Sequence, residues 1–408
     1  MINTLQLRAI ALLFIFAIST PGLAWLFGET QNTSEQEKRR LASAPEINFD
    51  KRLLTQFPAD FDQYFSDHYG LRSELITLRQ SWKSAAFGKS SLKKVIEGEQ
   101  DWLFYDWKES LKDHIGESTL NQQQLNSWQQ HLVDKKKWLS NLGIKYLFVP
   151  ALNKMSLFPE HLPKRIRDHS GETMLDQLFT KLESDKVFDN YLELEPMLME
   201  RKLTGPEMLQ SKLDNDIKAD SLYLREDTHW SSLGAFLSYQ SIMLKLQTLL
   251  PTLEAALQFD EVKPKRIDKK GDLAGMLSIS IPEQHHRLIP IEQCAPQEYE
   301  LLRSFKKTHA YKLQKRKLPK KAGCATKSLR AVIMHDSFGK EIQPFFAESF
   351  KEVIFIENYN FVALEGFLRD VKPDVFIDIR VERNIKYLLS RNKLLNKAIS
   401  TLNQASSD

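Results

Sequence analysis

Two short polar stretches carry residue types suited to nucleophilic chemistry. In Arg330-Ala331-Val332-Ile333-Met334-His335-Asp336-Ser337-Phe338-Gly339, an apolar run of strand character leads into Asp-Ser. A helical pattern begins just after it. Ser337 therefore falls between a strand end and a helix start, where open α/β sheets place ligands and where free N–H groups suit an oxyanion. The second stretch is Asp227-Thr228-His229-Trp230, again ahead of a helix. An Asp two residues before a His can orient the imidazole, which can then take a serine proton. Each stretch also reads as a helix cap, with Asp336 or Ser337, and Asp227 or Thr228, closing a helix N-terminus. Together they place a Ser, a His and an Asp in one layer of one sheet.

The elements that must position them alternate. Leu125, Trp128, Leu132, Leu139 and Leu142 share one helical face, Gly143 is a stop signal, and the run Ile144–Val149 reads as a strand. The pattern predicts helices over 174–182, 232–250 and 340–350. It predicts strands over 187–188, 222–224, 329–334, 353–356 and 374–379. These strands are continuous apolar runs, which suits a parallel sheet buried on both faces. Phe57 to Trp82 reads as two helices joined at Gly70.

With 408 residues and 42% hydrophobic content the chain can build a large core, which excludes wholesale disorder. Lys+Arg 57 against Asp+Glu 53 leaves a net charge of +4, which argues against a dedicated nucleic-acid binder. Two cysteines exclude a disulfide scaffold or a multi-Cys zinc site. Ala9 to Gly28 is uncharged and long enough to span a bilayer. It reads as an uncleaved anchor, with a cleaved signal peptide as the alternative, and either exports the rest. In an exported chain Cys294 and Cys324 suit one disulfide, with two unpaired thiols as the other reading.

Leu301 to His335 holds no acid but many Lys and Arg, Arg316 and Lys317 among them. It reads as a solvated loop or as an electrostatic guide for an anionic polymer. His285-His286 lacks carboxylate or Cys partners at ligand spacing, so no metal is expected. There is no phosphate-cradling glycine loop, so no nucleotide cofactor is expected.

Seven segments, in order, resemble the SGNH-hydrolase-like domain of the alginate O-acetyltransferases AlgJ and AlgX and their relatives. They begin with Phe61–Arg72, Gly98–Phe104 and Val149–Lys154, the last continuing at Phe158–Pro163. Then come Asp227–Trp230 with Gly234-Ala235, Gly271–Leu277, Asp336–Gly339 with Pro344-Phe345, and Lys372–Asp374 with Val381–Arg383. The resemblance implies an α/β, flavodoxin-like SGNH domain with a parallel sheet flanked by helices. It implies Ser337 as nucleophile, His229 as general base and Asp227 as its orienting partner. The Asp/His element precedes the serine element, an order the family shares. His335 stands for the Gly of a Gly-Asp-Ser motif, Asp101 for a Gly before Trp102, and Phe158 for a Tyr. Asn358-Tyr359 stands where an Arg-Tyr-type pair is expected.

The implied activity is transfer of an acetyl group, through a serine acyl-enzyme, onto hydroxyls of an exported polysaccharide, anionic or neutral. A carbohydrate acetyl-esterase and a non-catalytic polysaccharide-binding or assembly protein are the alternatives. Lys154, Asn358, Tyr359, Arg316 and Lys317 are the expected substrate contacts. A membrane acyltransferase or an acetyl-carrier partner is the expected donor, with no cofactor. The expected layout is an anchor or signal peptide over 1–28, a linker and helical segment over 29–90, the SGNH-like domain over 91–395 and a tail over 396–408. That places the protein in the periplasm, tethered to the inner membrane.

Overall fold

The computed structural model describes residues 4–27, 33–34, 39–45, 51–72, 74–75, 78–79, 94–107, 109–214, 217–277, 279, 283–295, 300–303, 312–317, 327–357 and 364–386. The chain packs as two units, Met1–Val95 with Asp272–Ile281, and Ile96–Gly271 with Pro282–Asp408.

In the first unit the uncharged run forms helix α1, Thr4–Phe27. Gln6–Trp25 is long and apolar enough to cross a membrane, with a mean hydropathy of 1.9. Helix α2, Lys51–His68, carries the expected aromatic spacing, with the Phe61 and Phe65 rings 6.4 Å apart. The turn at Gly70 follows as predicted, and Trp82 lies outside the described residues.

The second unit holds strands β1 (Lys145–Ala151), β2 (Val262–Ile267), β3 (His285–Pro290), β4 (Glu300–Arg303), β5 (Lys312–Lys317), β6 (Arg330–His335), β7 (Glu352–Glu357) and β8 (Val375–Val381). Its longer helices are α3 (Gln122–Asn141), α4 (Met174–Asp185), α5 (Glu195–Gln210), α6 (Ser232–Leu249), α7 (Gly339–Ser349) and α8 (Leu364–Val371). Six strands form one sheet in the order β1-β8-β6-β7-β5-β4 among the described residues. The four apolar runs β1, β8, β6 and β7 pair in parallel. Their central residues, such as Val332, Ile333, Ile354 and Ile377, are fully buried, as a sheet covered on both faces requires.

Helices cover both faces. Lys135 of α3 reaches Asp378 on one face of β8 at 2.5 Å. His335 of β6, in register with Ile379 and so on the other face, meets Gln343 of α7 at 2.9 Å. From β6 the chain crosses to β7 on one side through α7, then back past β6 to β8 through α8. This reversal makes the carboxyl end of β6 the switch point of the sheet, and Ser337 follows directly.

Three expectations change. Val187-Phe188 and Leu222–Leu224 are not strands; each region makes only a single bridge, Phe148 with Tyr191 and Tyr223 with Trp230. A short apolar run lacks the ladder partners that would extend it. The basic segment read as loop instead supplies β4 and β5, and β5 pairs antiparallel with β7. Backbone pairing does not depend on side-chain charge, and charged residues are common where a sheet approaches its edge. Cys294 is disulfide-bonded, and Cys324 lies outside the described residues.

Candidate active site

The His229 loop is tied off at its base. Ser231 N–H donates to the Leu222 carbonyl at 2.9 Å, and the Ser231 hydroxyl caps α6 by accepting Gly234 N–H. Inside the loop, Lys154 Nζ donates to the carbonyls of Leu224, Arg225 and Asp227 at 2.9, 3.0 and 2.5 Å. A buried ammonium thus gathers three backbone oxygens that turn inward.

This leaves Asp227 facing its own loop. Its Oδ1 accepts the His229 backbone N–H at 3.0 Å and lies 2.6 Å from His229 Nδ1. With an ionised Asp227, that short contact places the proton on Nδ1 and leaves the Nε2 lone pair free. Nε2 is 2.8 Å from Ser337 Oγ. Burial opposes ionisation of Asp227. The hydrogen bonds and charge of His229, with Lys269 3.3 Å away, outweigh it and hold the carboxyl well below the usual carboxylate range. His229 and Ser337 remain partly exposed, so a substrate can reach them, whereas Asp227 is buried.

The serine turn is braced from four sides. Trp230 Nε1 donates to the Phe338 carbonyl at 2.9 Å, which joins the His loop to the serine turn. Asp336 Oδ1 accepts Phe338 N–H, and its Oδ2 accepts Val381 N–H at 2.8 Å and Asn384 Nδ2 at 3.1 Å. His335 lies 2.6 Å from the Asp336 carbonyl through Nδ1, and its burial lowers its pKa. Gly339 seats directly on the His335 ring, where any Cβ would collide. That close approach explains the glycine at this turn. The N–H groups of Phe338, Gly339 and Lys340 are engaged within the turn. Ser337 N–H has no acceptor among the described residues, which leaves it available to an oxyanion.

Ser337, His229 and Asp227 are therefore brought together. Lys154 joins them through backbone, its ammonium committed to loop carbonyls beneath the site. Arg316 and Lys317 lie on β5 opposite Val353 and Glu352 of β7. Asn358 and Tyr359 lie outside the described residues. Each member of the histidine pair faces a buried carboxylate: His285 Nε2 is 2.8 Å from Glu226 Oε1, and His286 Nδ1 is 3.3 Å from Asp220 Oδ1. Glu226, Glu283 and His285 offer three ligand atoms within 4.8 Å of one another, but Glu283 is already engaged by Arg225. Sequence reasoning missed Trp230 and Asp336 as braces. The signal it had was their position beside His229 and Ser337.

A family model described as the SGNH hydrolase-like domain of the acetyltransferase AlgX matches residues 95–310, just over half of the chain. The chain belongs to this family. The matched stretch contains Asp227 and His229 and ends before Ser337, so the contact between His229 and Ser337 is a feature of the structure. No curated protein matches the chain. Among solved structures, the O-acetyltransferase domain of Pseudomonas putida AlgJ is similar at 15% identity, covering 76% of this chain and 99% of that one, with a TM-score of 0.45. Bacillus cereus PatB1 is similar at 15% identity over 71% of this chain and 96% of that one, TM-score 0.46. A DHHW family protein from Eubacterium siraeum is similar at 14% identity over 71% and 94%, TM-score 0.46.

Proposed function

We propose that this member of the AlgX-type acetyltransferase family moves an acetyl group onto a hydroxyl of an exported polysaccharide through an acyl-serine intermediate. The observation that carries the reading is His229, whose two ring nitrogens lie 2.6 Å from Asp227 and 2.8 Å from Ser337. His229 Nε2 takes the Ser337 hydroxyl proton as Oγ bonds to the acetyl carbonyl carbon of the donor. Ser337 N–H donates to the oxygen that gains charge. The donor's leaving group departs with the proton from His229. A sugar hydroxyl then gives its proton to the same Nε2, attacks the acyl-serine and releases Ser337 as its proton returns. Asp227 keeps the Nδ1 proton in place and stabilises the imidazolium formed in each half.

In this reading the donor is a membrane acyltransferase or an acetyl-carrying partner. The catalytic domain, 91–395, works in the periplasm behind an anchor or signal peptide at 1–28 and a linker and helical segment over 29–90, with a tail at 396–408. Arg316 and Lys317 of β5 guide an anionic polymer, Asn358 and Tyr359 contact it, and Lys154 acts as a positioning residue beneath the site.

The test gives the full chain an activated acetyl ester with and without oligouronate, with products identified by mass spectrometry. Acetylated oligosaccharide formed by the parent and lost in Ser337→Ala is the expected result. Free acetate unaffected by the sugar makes the protein an esterase, and normal turnover by Ser337→Ala overturns the mechanism.

A further inference from the structure

The first unit carries apolar surface that the chemistry above does not use. Along α2, Phe57, Phe61 and Phe65 recur every four residues, with ring centroids 6.0 and 6.4 Å apart. That spacing keeps side chains on one helical face. Phe61 is 43% exposed and Phe65 36%. Gln56, Gln63 and Ser66 lie on the opposite face, so α2 is apolar along one side only. Away from the stripe, Asp67 Oδ2 accepts Ala42 N–H at 2.8 Å. The preceding segment is thus tied to the polar side, and the rings stay exposed.

The apolar surface continues past the helix. After Gly70 come Leu71, Leu75 and Leu78, all exposed and spaced to share one helical face. Leu75 N–H donates to the Leu71 carbonyl at 2.8 Å, as in a helical turn.

The two stripes meet where α1 ends. The Trp25 ring stands edge-on to Phe65 at 5.7 Å. A Cβ at Gly70 would collide with the Pro21 carbonyl, the Trp25 nitrogen and Ala24, so only a glycine lets this turn seat on the last turns of α1. The apolar side chains of α1, Leu13 and Phe16 among them, are exposed. A helix of 24 residues is about 36 Å long, and the hydrocarbon core of a bilayer is about 30 Å thick. Trp25 stands at the end of that span, the level at which tryptophans occupy a membrane–water boundary. Phe65, in contact with it, stands at the same level.

We propose that α2 and the turn after Gly70 form a lipid-binding surface that lies along the bilayer face at which α1 ends, with the phenylalanine and leucine stripes set into the headgroup–acyl boundary. The bilayer is the occupant because α1 brings its boundary to the stripe: Trp25 ends the span and touches Phe65. Asp60, Asp62 and Asp67 keep α2 out of the hydrocarbon core. A helix apolar on one side and polar on the other settles in the interface plane. Residues 51–79 carry four basic and four acidic side chains, so apolar burial rather than charge supplies the attraction. The inference rests on α1 being retained as an anchor.

The test reconstitutes the full chain into phosphatidylcholine vesicles, with and without added phosphatidylglycerol. Phe61→Cys, Gln63→Cys and Leu13→Cys, made singly, carry a thiol-linked fluorophore, and the parent, with Cys294 disulfide-bonded, sets the background. A lipid spin-labelled near its headgroup should quench the Phe61 probe at least about threefold more than the Gln63 probe, in both vesicle types. A lipid labelled deep in its acyl chain should quench the Leu13 probe. Equal quenching at 61 and 63 overturns the surface. So does a Phe61 probe shielded from water but not reached by lipid, as a second copy of the chain would produce. Quenching at 61 confined to the anionic vesicles overturns the apolar basis. A Leu13 probe that lipid does not reach overturns the anchor and the surface with it, whereas a quenched Leu13 probe beside an unquenched Phe61 probe overturns the surface alone.

Discussion

Replacing Lys154 by Met separates two roles for a residue whose sequence suggests a substrate contact. Its side chain is buried, with Nζ donating to the Leu224, Arg225 and Asp227 carbonyls and lying 5.6 and 5.5 Å from the Trp102 and Phe104 rings. Methionine keeps the stem's length and packing but removes all three donors. A hydrogen bond from a charged donor contributes about 1.5–3 kcal/mol. Three together exceed what would be measured, because the parent must also bury an ammonium and water can re-solvate freed carbonyls. A net loss of about 2–4 kcal/mol follows. The same change loosens the loop that holds His229 2.8 Å from Ser337. A displacement of about 1 Å there costs on the order of 100-fold in kcat. With a small activated acetyl ester, kcat should fall by about that factor while KM stays near the parent value, and the melting temperature should drop by several degrees. An unchanged melting temperature with kcat within about twofold would refute the clamp. A raised KM at unchanged kcat would return Lys154 to the substrate.

Gly339→Ala drives a methyl group into the buried His335 ring, so we expect about 1–3 kcal/mol of destabilisation and at least a ~10-fold lower kcat. Full activity in that variant would show that His335 does not fix the serine turn. Glu382 gives a pH-dependent case: burial, then the charge of Asp113, push its carboxyl up from 4.5 to about 8. The folded protein holds this proton more tightly than the unfolded chain, so the group's stability is full below about pH 4.5 and is lost as pH rises through about 8. Glu382→Gln removes that slope, at most about 1.4 kcal/mol per pH unit. The variant should therefore gain on the parent between pH 5 and pH 8 in urea melts, and a constant difference would refute the assignment.

What could be read from the sequence was decided by local pattern. Runs such as Val332-Ile333-Met334 and Val353-Ile354-Phe355 are apolar at successive positions, which suits a strand buried on both faces, and they form the parallel core. Ser337 was placed correctly between strand and helix because Asp-Ser abruptly ends such a run. Leu222-Tyr223-Leu224 has the same local character, yet only a single bridge at Tyr223 forms, since strand identity needs a partner that local sequence does not encode. In β5 the charges concealed a strand whose partner in the sheet core, β7, is 35–45 positions away in the chain. Lys154 could not be assigned because its partners are carbonyls of residues some 70 positions distant, and a carbonyl has no signature in a sequence.

This last point describes how the site is built. The groups bracing it mostly join a side chain to backbone on another segment. Lys154 holds the His229 loop, Trp230 Nε1 holds the Phe338 carbonyl, Asp336 holds Val381 N–H, and Glu382 Oε2 holds Asn153 N–H at 2.7 Å. These contacts link the ends of β1, β6 and β8 to the loop ahead of α6. Backbone acceptors and donors do not change with sequence, so each brace depends on one side chain only. Such a frame can hold a Ser–His–Asp geometry fixed while exposed side chains around it vary.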